Sequence, residues 1–190
     1  MERFYNRGNI NLNSKEKLIQ DNYKKVNQIS AKCMRVIVSI LALAFLYCYF
    51  GTDMDDSVLI VFFASAIFVA LIPTLIINIL KFDHAPVTKH IVIICVCLIA
   101  TMMLTLLSTY AYPIMLFPIL LASLYYNQTL VLFASLLMSC GIVGSNYFAY
   151  RFSNVFIGFP CETFEEAMMS YVVPQIVVVF GLSVAAYFIV

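Results

Sequence analysis

A chain of 190 residues with 63% hydrophobic and 11% charged side chains lies far from soluble domains, which average about 45–50% apolar and about 25% charged. Its net charge is only +1, yet eight of its eleven basic residues fall in the first 35 positions, and Ile91–Tyr150 contains no charge. Such a stretch cannot form the surface of a water-soluble globule, which excludes a soluble enzyme, a nucleic-acid-binding domain and a disordered chain. What remains is an all-α polytopic integral membrane helix bundle.

The first 30 residues are polar and do not read as a signal peptide. Asn13 with Glu16 three residues on matches a capping box, and the pattern predicts a helix to Arg35. Leu18, Ile19, Tyr23, Val26, Ile29 and Cys33 recur at spacings of three and four, which makes an apolar stripe. Six Lys and Arg cover the rest. Such a helix suits an anionic inner leaflet, at about 1 kcal/mol per basic residue near the surface. The plainer reading is a topology anchor. We therefore divide the chain into a cytoplasmic basic segment, 1–35, with its amphipathic helix, and a transmembrane domain, 36–190.

A crossing helix needs about 20 predominantly apolar residues. The first run goes from Val36 to Phe50 and ends at Gly51, before Asp53, Asp55 and Asp56. The second, Val58 to Leu80, contains Pro73 and Asn78 and leads into a short charged link, Lys81–His90. Folding Ile91–Tyr150 into two helices would make each about 45 Å long, beyond the hydrocarbon core. Three fit, with breaks at Ser108–Pro113 and at Leu124–Thr129. The fourth span, Pro113 to Tyr126, is then short and carries Pro118. With a last run from Met169 to Val190 the count is six transmembrane helices. An inside N-terminus places ten of the eleven basic residues on the cytoplasmic side, as the positive-inside rule requires. A cell (inner) membrane, multi-pass protein with both termini cytoplasmic is expected.

In the loop before the last helix, Thr163 and Glu166 form a second capping pattern, predicting a helix start near Phe164. Pro174 would then act as a kink and hinge. The apolar run reaches Val190 with no basic residue after it, which suggests a fragment that lacks a cytoplasmic continuation.

No spacing supports enzymatic chemistry. The three acids at Asp53–Asp56 fall short of the six to eight oxygens a hard cation takes. His84 and His90 match no zinc pattern. Cys95 and Cys97 lie about 200° apart around a helix, and four of the six cysteines sit in apolar runs. Neither a metal, a cofactor nor a nucleic acid is expected. The spans hold no acid or base beyond their ends, which disfavours ion-coupled transport.

Polar groups inside the spans carry more information, chiefly Asn78, Asn146 and Gln175. Interhelical hydrogen bonding explains them most simply, at about 0.6 kcal/mol per contact. A sharper alternative gathers Tyr110, Tyr112, Asn146, Tyr147, Tyr150 and Arg151 at the outer ends of spans three to five. They could line a pocket for a small extracellular ligand. The composition favours the plainer reading, an interfacial aromatic belt.

Pro118-Ile-Leu-Leu-Ala-Ser-Leu-Tyr-Tyr-Asn-Gln128 and Tyr171-Val-Val-Pro174-Gln175 resemble parts of the six-helix membrane sensor regions at the N-terminus of bacterial signalling proteins. Those regions precede GGDEF diguanylate cyclase, histidine kinase or chemotaxis-receptor output domains. The resemblance implies a sensory or regulatory module in the lipid bilayer, working as a homodimer and without catalysis of its own. The alternative is the substrate-binding membrane subunit of a vitamin-type importer, which has similar size and six helices. Six glycines in all speak against its close small-residue packing.

Overall fold

The computed structural model describes residues 2–51, 56–82, 86–107, 113–151 and 163–190. Every regular element among them is helical. Five helices are long and apolar enough to cross a membrane, and a sixth is shorter. We number them in chain order: α1 Glu2–Gly51, α2 Asp56–Ile79 and α3 Pro86–Leu107, then α4 Phe117–Ser123, α5 Gln128–Arg151 and α6 Phe164–Ile189.

Helix α1 is continuous for 50 residues, about 75 Å at the usual rise. It begins at Glu2 rather than near Asn13, so the first capping pattern marks no helix start. It also runs unbroken through Arg35–Val36. No Gly or Pro stands between Gly8 and Gly51, and Lys, Arg, Leu, Ala and Gln are all good helix formers. The shift from polar to apolar composition changes what the helix faces, not its backbone.

The α1–α2 hairpin packs as a seam. Leu59, Phe63, Ala66, Ala70, Pro73 and Ile77 are the buried residues of α2, alternating steps of four and three as in a coiled coil. Met34, Leu41 and Cys48 answer at steps of seven on α1. The alanines let the backbones approach. Phe45 closes the seam edge-on against Phe63 at 5.6 Å between ring centroids.

Helix α3 is the central one, with Val92, Ile93, Val96, Cys97, Ala100 and Leu104 buried on more than one side. It meets α5 where Gly141 faces Thr101. A Cβ at 141 would overlap the Thr101 hydroxyl, so only Gly permits this approach. Around the outside, large apolar side chains such as Phe68, Leu136 and Phe180 stay two-thirds exposed. A surface of that kind is compatible with an apolar surrounding.

Cross-contacts fix which helix ends lie together. Tyr23 of α1 meets Lys89 in the first turns of α3, and Asn27 meets Tyr125 after α4. Asn22 donates to the Leu124 carbonyl. At the start of α5, Gln128 donates to the Tyr187 carbonyl near the end of α6. The start of α3, the end of α4, the start of α5 and the end of α6 therefore share one end of the bundle. We call it the Tyr125 end. The opposite end carries Arg151.

Short α4 follows a single 3-10 turn over 113–116, and the whole element Pro113–Ser123 falls short of a full crossing by itself. It still returns the chain to the Tyr125 end. Tyr126, with φ 49°, ends it in the left-handed region, and its amide donates to the Ser123 carbonyl at 3.0 Å.

Two helices contain a π-turn beside a proline. In α2 the turn Leu75–Ile79 follows Pro73. In α6 the turn Met168–Val172 precedes Pro174. A proline lacks an amide hydrogen and crowds the turn before it, which accounts for the π-turn ahead of Pro174; the one in α2 lies after Pro73 and has no such cause. Helix α6 accordingly stays continuous past Pro174. It begins at Phe164 with Thr163 as N-cap, whose hydroxyl accepts from the Glu166 amide at 3.2 Å.

Candidate functional site

The residues singled out at the Arg151 end separate into two groups. Asn146 and Gln175 are buried against each other between α5 and α6. The Asn146 amide donates to Gln175 Oε1 at 3.3 Å and to the carbonyl of Ile142 at 2.8 Å. Such a neutral pair satisfies polar groups that would otherwise be costly away from water. Its bond joins the two helices directly beside the Pro174 turn.

Tyr147 and Tyr150 form the second group. Both rings pack on Phe164 at the start of α6, with centroids 5.5 and 5.6 Å away. Tyr147 is half exposed and Arg151 is exposed. Arg151 occupies the last turn of α5, where a cation complements the helix dipole. Tyr110, Tyr112, Asp53, Asp55, Asp83, His84 and Cys161 lie outside the described residues. Asn78 is exposed on the perimeter, within the π-turn of α2. Among the described residues no group of three or more His, Cys, Asp or Glu could hold a metal ion.

The most developed polar cluster lies at the other end and was not read from the sequence. Asn27 and Ser30 of α1 are fully buried, as is Tyr125. The Tyr125 hydroxyl donates to Asn27 Oδ1 at 2.7 Å, and the Ser30 hydroxyl donates to the Val26 carbonyl at 2.7 Å. Tyr23 stands beside them, its ring 6.1 Å from that of Tyr125. Lys89 is buried over the Tyr23 ring, its ammonium 4.4 Å from the centroid, and donates to the Tyr23 hydroxyl at 3.3 Å. A cation over an aromatic face gains about 0.5–2 kcal/mol, more as water is removed.

The Tyr125 hydroxyl is the donor of the buried bond that closes the cluster. The cluster joins three segments far apart in sequence: α1, the start of α3 and the turn between α4 and α5. The Tyr125–Asn27 and Lys89–Tyr23 bonds each span two of those segments, whereas the Ser30 bond lies within α1. No protein-family model, curated protein or solved structure matches this chain.

Proposed function

We propose that this chain is a membrane-embedded sensory or regulatory module of a bacterial signalling protein, set in the inner membrane. In this reading the Tyr125 end faces the cytoplasm and the Arg151 end faces outward. The chain counts as six crossings, with α4 as a short return leg. Ten of eleven basic residues then lie inside, and α6 delivers its last turn to the cytoplasmic face.

One observation carries the signalling reading: α6 holds a π-turn and Pro174 next to its buried bond with α5. Single π-turns inside α-helices recur at functional sites. A perturbation at the outer ends, where Phe164 sits between Tyr147 and Tyr150, would shift α6 against α5 and so move its cytoplasmic end. Pro174 is the hinge of that movement. Bistable rearrangements of this kind underlie many switches.

The test is a fusion of the whole chain, after Val190, to a reporter diguanylate cyclase. Pro174→Ala and Gln175→Leu should each change cyclic-dinucleotide output at least about threefold at equal membrane level, the effect of roughly 0.6 kcal/mol on a two-state balance. Output unchanged by both, and equal to that of the perimeter control Phe180→Leu, would remove the reading.

A further inference from the structure

A cavity of about 600 Å³ opens between α1, α3 and α4, apart from both polar clusters. Its origin is the shortness of α4, which leaves the Val36–Ile40 face of α1 without a full-length neighbour. Val36 and Ile40 stand exposed along one wall, while Ala100 and Met103 are buried in the wall opposite. Phe117 bounds it from α4. Among the described residues that line it, Lys32 alone is charged.

Position along α1 gives the cavity a direction. Lys32 is five residues beyond Asn27, hence about 7 Å above the Tyr125 cluster. The apolar lining continues to Leu41, about 13 Å further on. The groove thus has a cationic mouth near one end and hydrocarbon along the rest. One exposed lysine at the mouth of an otherwise hydrocarbon groove complements a molecule with an anionic head and an apolar chain, whereas an uncharged helix face of a second copy would leave that lysine unmatched.

We infer that this groove binds an acyl chain of an anionic phospholipid, whose phosphate sits at Lys32. The inference rests on the membrane reading above, which places the Lys32 mouth toward the inner leaflet. That leaflet carries the anionic lipids, and a lysine stem reaches along apolar surface while its ammonium meets the headgroup. Lys32 supplies the selectivity and the Val36–Leu41 wall supplies the chain contacts.

The experiment is native mass spectrometry of the full chain released from nanodiscs of equal phosphatidylglycerol and phosphatidylcholine. Wild type should retain phosphatidylglycerol about fivefold over phosphatidylcholine, the preference that one cation near an anionic headgroup supplies. Lys32→Gln should bring the two lipids to parity, whereas Lys25→Gln, exposed on the same helix but outside the groove, should not. Val36→Trp should lower retention of both. Equal retention of the two lipids by wild type, an equal effect of Lys25→Gln, or a lipid-free dimer overturns the inference. A chain that never enters the nanodiscs overturns the membrane reading itself, a separate outcome seen before any lipid is counted.

Discussion

The Tyr125 hydroxyl reaches Asn27 Oδ1 at 2.7 Å, a buried bond between residues 98 apart in the chain. It ties the turn after α4 to the lower part of α1. Removing one partner of such a pair strands a desolvated group, whereas removing both leaves an apolar contact of similar shape.

Tyr125→Phe should therefore lower stability by about 1–3 kcal/mol in detergent, and Asn27→Leu by a similar amount. The double variant should lose clearly less than the sum of the two. Thermal unfolding of the four proteins measures the coupling. Strict additivity would mean the bond contributes nothing of its own.

Gly141 supplies a steric test of the α3–α5 contact. A methyl group there meets the Thr101 hydroxyl, while the Thr101 Cβ and Cγ2 remain at ordinary distances. That hydroxyl is held by its bond to the Cys97 carbonyl at 2.8 Å. Gly141→Ala should cost about 1–3 kcal/mol. Thr101→Ala should rescue it, and Thr101→Val, which keeps a heavy atom in place of the oxygen, should not. Equal rescue by both would show that the clash is not with Oγ1.

The long helices could be read from apolar run length because a span needs little beyond about 20 apolar residues. The start of α6 was legible too, since Thr163 and Glu166 are a local signal. So was the importance of Asn146 and Gln175, although not that they face each other. The cluster around Tyr125 escaped because its pattern is not local. The apolar stripe read on α1 is half right: Val26 is buried and Tyr23 and Cys33 half-buried, whereas Leu18, Ile19 and Ile29 are exposed. The inward line also includes polar Asn27 and Ser30, which a stripe of apolar residues passes over. Only the arrival of Tyr125 from a distant turn gives Asn27 its partner. Asn78 errs the other way: an amide in an apolar run suggested a buried bond, and its place on the π-turn of α2 leaves it on the perimeter.

The shared bundle end makes a topology prediction that does not depend on how deeply α4 penetrates. Lys89 and Tyr125 both pack on the lower part of α1, so the α3–α4 pair must leave and return on one side. Gln128 and Tyr187 then bring the end of α6 to that same side. In a cysteine-free background, an impermeant maleimide added to intact cells should label Arg151→Cys and spare Lys81→Cys and Asn127→Cys. All three should react once the cells are opened. Labelling of Asn127→Cys in intact cells while Lys81→Cys is spared would separate the α4 turn from the start of α3. The Asn27–Tyr125 bond could not then exist in the membrane, because its two partners would stand on opposite surfaces.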